Sequence, residues 1–148
     1  MGFLCDALGA FAQVAPPPID CLGPVDHLGI KVSDLEPVWE QLAPLGLTCA
    51  SVSDHPEVGL RIAFLDGGVV PIELLCVISP RSPLAADADG LHHVAYRVAG
   101  LRVLFGALEH DSRFAFHGPI RRGARGHEIA TFRLRAAPGL AYELVEEC

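Results

Sequence analysis

The 148-residue chain carries a formal charge of −7 and a pI near 5.4, which argues against nucleic acid as a general partner. It is 51% hydrophobic with a mean hydropathy of +0.37, yet its most apolar stretch, "GGVVPIELLCVI", is broken by Glu73, which excludes a membrane-spanning helix. The five cysteines, at 5, 21, 49, 76 and 148, form no C-x-x-C pair, so they read as small buried hydrophobes in a reducing cytoplasm, with Cys148 as a loose thiol, rather than as a disulfide framework or zinc knuckle.

In chain order, residues 1–24 form an extension. Phe3, Leu4, Ala7, Leu8, Phe11 and Val14 fall on one face at helical spacing before "APPP" breaks the run, which predicts a short helix and a Pro-rich linker. The segment lacks a basic n-region and its polar face lacks basic residues, so neither a signal peptide nor a membrane-surface helix is expected. "HLGIKV" then alternates as a strand does, with Leu28, Ile30 and Val32 on one face and His27, Gly29 and Lys31 on the other. Ser33 and Glu36 have capping-box spacing, and the helix they would start ends near Pro44 or Gly46. "GLRIAFLD" and "VVPIELLCVI" read as strands joined by a turn at Gly67 and Gly68. After a linker over 79–90 the pattern returns: a strand at 93–98, a helix over about 101–110, a loop rich in Gly and Arg, and strands at 127–134 and 140–146. Within that loop "RRGARGH", at 121–127, reads first as solvated and second as a site for an anionic ligand.

The return is a repeat. "DHLGIKVSDL" aligns with "HHVAYRVAGL" at an offset of 66, so that His27 meets His93 and Lys31 meets Arg97. At the same offset Trp39 falls on Phe105 and Leu42 on Leu108. "IAFL" matches "IATF" at offset 67, and "IELL" matches "YELV" at offset 70, which pairs Glu73 with Glu143. Module one therefore spans about 25–78 and module two about 91–148 of a single domain.

The repeat places its polar residues pairwise. A carboxylate inside an apolar strand is costly without a cation or strong donors, and here two such carboxylates and two histidines occupy matching positions. If the modules pack about a pseudo-two-fold axis, His27, Glu73, His93 and Glu143 converge on one divalent ion: Co, Mn, Ni, Zn, Fe or Mg. Alternation turns His92 away from its neighbour His93, which leaves it a supporting role.

"DHLGIKVSDLE", "PEVGLRIAFLD", "IELLCVISPRSPLA", "GLHHVAYRV" and "YELVE" resemble the vicinal oxygen chelate superfamily, which includes glyoxalase I, extradiol dioxygenases and bleomycin-resistance proteins. Within it they most resemble the methylmalonyl-CoA epimerases, above all in the Ser-Pro-x-Ser-Pro linker that runs into "GLHH". The resemblance covers about residues 25–146. It implies an α+β fold, a βαβββ module used twice, whose curved mixed sheets enclose one metal site with His27, Glu73, His93 and Glu143 as ligands. It also implies a catalytic Glu57, in "HPEVGL", with Glu143 as a second acid/base group. The implied reaction is epimerisation of a chelating carbonyl substrate, a CoA thioester in these epimerases, through a metal-stabilised enolate; a cytoplasmic homodimer is expected.

Other members of the superfamily offer alternatives. A glyoxalase I-like lactoylglutathione lyase would use the same four ligands without needing Glu57 or the linker. A non-catalytic binding or resistance protein would normally have lost the ligands. An extradiol dioxygenase site uses two histidines and one glutamate, which leaves Glu73 without a role. The chain also departs from the epimerase pattern: "VWEQLAPLG" is short and interrupted by Pro44, Val58 follows Glu57, Arg97 stands where an acidic residue often sits, and the "RLRAAPGLA" loop is short.

Overall fold

Alternation in "DHLGIKV" and "LHHVAYRV" builds the two strands at the middle of the molecule, β1 (Leu22–Val32) and β5 (Gly90–Val98), which pair antiparallel. The computed structural model describes residues 22–147. Most of the expected N-terminal extension, with Cys5 and Cys21, and the final Cys148 lie outside the described residues. Residues 22–24, expected to belong to that extension, already form the start of β1.

β1 is followed by α1 (Leu35–Leu42), a 3-10 turn (Ala43–Leu45), β2 (Thr48–His55), β3 (Leu60–Asp66) and β4 (Ile72–Val77). β5 is followed by α2 (Leu101–Leu108), β6 (Phe114–Phe116), β7 (Arg121–Arg122), β8 (Glu128–Leu134) and β9 (Ala137–Glu146). Together the strands form one curved nine-stranded sheet in the order β2-β3-β4-β1-β5-β9-β8-β6, with β7 paired to β8. The order mirrors itself about the β1–β5 seam. On one side β1 runs parallel to β4, and on the other β5 runs parallel to β9. No helix among the described residues is long and apolar enough to cross a membrane.

Most of the inner strands bury side chains on both faces, which is why "IAFL" and "IELL" read as nearly unbroken apolar runs. On one face α1 packs Leu35, Val38 and Trp39 over Ala63, Leu65 and Leu74. The equivalent helix α2 packs Leu101, Leu104 and Leu108 over Ala130, Phe132 and Leu144. The alternate residues, Leu60, Ile62, Phe64 and Leu75 from module one and Ala95, Ile129 and Val145 from module two, face the other way, and all of them except Ala95 line a cavity. Helices therefore hold the outside of the sheet and leave its inside free for a site.

Several sequence expectations are corrected. The Ser33–Glu36 capping box does not form: α1 starts after Asp34 with no side-chain cap, because Ser33 donates through its amide and hydroxyl to Asp89 of the linker (2.9 and 2.7 Å). The short strands β6 and β7 occupy what read as loop, and β2, implied by the βαβββ resemblance, was not located from the residues. Its sequence "TCASVSDH" has no apolar alternation, since it forms one edge of the sheet and is almost entirely exposed. Cys49 on that edge is exposed and Cys76 is half-buried, against the expectation of buried thiols.

Candidate metal centre

Four side chains from the four central strands meet on the inner face. His27 on β1 and His93 on β5 point their Nε2 atoms at one another, 3.1 Å apart. Glu73 on β4 places Oε2 at 3.1 Å from His93 Nε2 and 3.4 Å from His27 Nε2. Glu143 on β9 brings Oε1 to 3.6 Å from His27 Nε2, and the ligating atoms of His27, His93 and Glu143 all lie within 4.8 Å of one another. All four residues are buried. The structure thus brings together every residue the repeat selected.

Close approach of the two strands requires small residues opposite each ring. Gly29 faces His93 across the seam, and a Cβ at Gly29 would lie 2.0 Å from the imidazole. By the same symmetry His27 faces Ala95. Irregular pairing does the rest. Between Val25 and His27, Asp26 is an extra residue in β1, and between Leu91 and His93, His92 is an extra residue in β5. A bulge of this kind re-aims a side chain. Asp26 Oδ2 accordingly reaches His27 Nδ1 at 2.7 Å, and His92 Nδ1 lies 2.9 Å from His93 Nδ1. His92 does not turn away from its neighbour; it backs that neighbour's ring and lines the cavity.

The donor set fits a divalent cation. Metal bonds of about 2.1 Å put neighbouring donors roughly 3.0 Å apart at right angles and roughly 3.4 Å apart at tetrahedral angles, close to the 3.1–3.6 Å separations here. Electrostatics agree. Burial alone would favour neutral His27, but hydrogen bonds to Asp26 and Glu73 and the charge of Glu143 hold its pKa up at about 9. Burial also opposes ionisation of Glu73, yet hydrogen bonds from His27 and His93 keep its pKa well below the usual carboxylate range. Burial pushes Glu143 upward, and it pushes His92, which also faces the charge of His93, down to about 4. A cluster that draws a proton onto His27 Nε2 draws a metal cation to the same point. Nitrogen and oxygen donors of this kind suit such a cation.

The cavity above the cluster holds about 300 Å³. Its floor is the cluster of His27, Glu73, His93 and Glu143. Leu60, Ile62 and Phe64 form one wall, and Pro83 and Leu84 of the Ser-Pro-x-Ser-Pro linker help to close another. Residues 121–125 and His127 line it too, so the "RRGARGH" stretch is cavity wall rather than simply solvated loop. Arg121 donates to Thr131 Oγ1 (2.9 Å), and the Arg125 guanidinium lies over the Phe64 ring, 4.5 Å from its centroid. Glu57 lines the cavity from the exposed β2–β3 turn, where His55 Nδ1 is 3.4 Å from its Oε1. The corresponding turn of module two runs Arg122 to Gly126, with Ala124 at the position of Glu57. Gly59 and Gly126 close the two turns with positive φ, 66° and 86°. Asp26 and Arg97 were not picked out as site residues by the sequence, and Arg125 only within the stretch whose second reading was an anion site. The offset that aligns Asp26 with His92 is the signal that could have found the dyad.

Comparison with known proteins bears on this site. A family model described as the Glyoxalase/Bleomycin resistance protein/Dioxygenase superfamily matches residues 13–131. The ethylmalonyl-CoA/methylmalonyl-CoA epimerase of Cereibacter sphaeroides is 28% identical over 130 residues, 83% of this chain and 97% of that one. The crystal structure of methylmalonyl-CoA epimerase from Mycobacterium tuberculosis superposes with a TM-score of 0.77 at 25% identity, covering 93% of this chain and 95% of that one. A Streptomyces coelicolor methylmalonyl-CoA epimerase variant in complex with 2-nitronate-propionyl-CoA gives a TM-score of 0.72 at 28% identity, covering 86% of this chain and 99% of that one.

Proposed function

Because this chain belongs to the Glyoxalase/Bleomycin resistance protein/Dioxygenase superfamily, we propose that it is a metal-dependent epimerase acting at the carbon α to the carbonyl of an acyl-CoA thioester, as methylmalonyl-CoA epimerases do. The observation that carries this reading is the convergence of His27, Glu73, His93 and Glu143 at the floor of a cavity with Glu57 in its wall. A divalent cation held by those four residues would supply Lewis-acid stabilisation to the negative charge that develops on a chelating carbonyl substrate.

The residues of the chain do the rest. Leu60, Ile62, Phe64, Leu75 and Val145 keep water from the floor, so that charges there interact strongly. Inversion requires that a proton leave one face of a planar carbon and return to the other, which takes two acid/base groups. Glu57, exposed in its turn, is the group on one face. The symmetry-related turn offers Ala124, which cannot carry a proton, so the second group must come from elsewhere. Glu143 is buried beneath the cavity; holding the ion through one oxygen, it would have a second oxygen for that role. The relatives' printed names and the CoA ligand of the Streptomyces coelicolor epimerase support an acyl-CoA substrate.

The test is solvent-deuterium incorporation at the α-carbon of methylmalonyl-CoA by metal-reconstituted protein, alongside elemental analysis. Wild type is expected to exchange and to hold about one ion per chain, and His93→Ala and Glu73→Ala to lose the ion. Glu57→Gln is expected to keep the ion and lose 10²–10⁴-fold in exchange, the usual size of general acid–base assistance. A metal-loaded wild type that exchanges no α-proton of this or related thioesters overturns the epimerase reading.

A further inference from the structure

We infer that Asp26 is a positioning residue of the metal centre: clamped by Arg97 and Arg125, it holds the His27 ring so that Nε2 faces the other three donors. The inference rests on the metal-binding reading above and extends it to residues that are not themselves candidate metal ligands.

Asp26 is only 5% exposed. Its Oδ2 accepts from His27 Nδ1 at 2.7 Å, and its Oδ1 accepts from Arg97 Nε at 2.9 Å. Arg125 Nη2 also donates to Oδ2 and lies 3.4 Å from His27 Nδ1. A buried carboxylate needs such cations to remain ionised. Fixed in this way, it leaves the Nδ1 proton of His27 only one place to point, and the lone pair for a metal is then on Nε2. Carboxylates that receive the second N–H of a ligating histidine set its tautomer and strengthen it as a ligand.

The clamp is specific to one half of the molecule. At the equivalent position behind His93 stands His92, an imidazole at 2.9 Å that brings no carboxylate. One arm of the clamp also reaches into the cavity wall, since Arg125 packs on Phe64 at 4.5 Å. The structure therefore makes His27 the more firmly held of two ligands that the repeat would make equal.

The experiment is chelator competition for Zn²⁺ and Co²⁺ on the full chain, comparing wild type with Asp26→Asn, Asp26→Ala and His92→Asn. Asp26→Asn keeps the shape and a hydrogen-bond acceptor while removing the charge, so it remains informative if the alanine variant folds poorly. Expected is a 10–100-fold weaker affinity for Asp26→Asn, the usual effect of losing such a partner, with less than about threefold for His92→Asn. The Co²⁺ visible spectrum should change with Asp26→Asn, and the melting temperature of the metal-free protein should change far less than the affinity. In metal-free wild type a low-field His27 Nδ1 proton is expected by NMR, and it should be lost in Asp26→Ala. If wild type binds one ion and Asp26→Asn binds it equally well, this inference fails alone. If wild type binds no ion, the metal reading fails first and takes the positioning role with it.

Discussion

The two halves of the sheet are built alike where they hold the candidate ligands and differ just behind and above them. Each half supplies one histidine from its seam strand and one glutamate from the parallel neighbour, and each sets a small residue, Gly29 or Ala95, opposite the partner's ring. The next layer diverges. Asp26 answers to His92, Glu57 to Ala124, and Phe64, registered opposite Glu73, to Thr131, registered opposite Glu143. On the proposed reading, a shared cation would constrain both halves equally, whereas a reaction that treats two faces of one carbon would need the halves to be unequal. Duplication supplies the first property and divergence the second.

The symmetric layer is broken most severely at the seam. Gly29→Ala would drive a methyl group into the His93 ring, where a Cβ lies at 2.0 Å. The ring or the strand must shift, at a cost of about 1–3 kcal/mol, and metal affinity is expected to fall with it. The mirror change, Ala95→Gly, removes a methyl group beneath His27 and costs roughly 0.5–1 kcal/mol through backbone entropy. Thermal melting of both variants, with and without Zn²⁺, checks the inequality; equal effects would mean that His93 is not pinned against Gly29.

The asymmetric layer shows itself in acid and base. In metal-free protein His27 has its pKa raised from 6.5 to about 9, so its contribution to stability is complete below pH 6.5 and is lost as pH rises through 9. His92 has its pKa lowered from 6.5 to about 4, so its contribution is present above pH 6.5 and is lost as pH falls toward 4. Among the two dyads alone, stability should peak near pH 6.5. Since His27 shares its proton with Glu73 and Glu143, the decline toward pH 9 is expected to be about 1–2 kcal/mol rather than the full value of the shift. Urea titrations at pH 5, 6.5 and 9 measure it, and His27→Gln should flatten the alkaline arm.

How much of this was legible in the sequence follows from the same division. The four residues that meet on the inner face keep their type in both halves, so His27, Glu73, His93 and Glu143 surface as matching positions of a repeat. The strands buried on both faces were legible for a similar reason, since a core demands apolar runs. What depends on neighbours far along the chain was not. Asp26 reaches His27 only because β1 bulges, and a bulge leaves no mark in an alternating pattern. β2 has no buried face to write a period into its residues. Arg125 looked like loop until the fold carried it onto Phe64 and Asp26.

The helix starts give the smallest contrast and the one in which local spacing misled most. Ser33 and Glu36 have the spacing of a cap, but Ser33 is engaged by Asp89, and α1 begins uncapped. α2 begins after Gly100, whose φ of 78° is easy only for glycine, and it has no serine or threonine to cap it. Its first amides are instead met from β9. The Glu146 carboxylate accepts from Gly100 N at 3.0 Å and from Leu101 N, which places a negative charge at the positive end of the helix. Glu146→Ala should therefore cost about 0.5–1 kcal/mol, a drop of roughly 2–5 °C in melting temperature for a domain of this size. Glu36→Ala, which would break a true capping box, should cost less. A larger loss from Glu36→Ala would mean that α1 is capped as its sequence suggests and that the two halves start their helices alike.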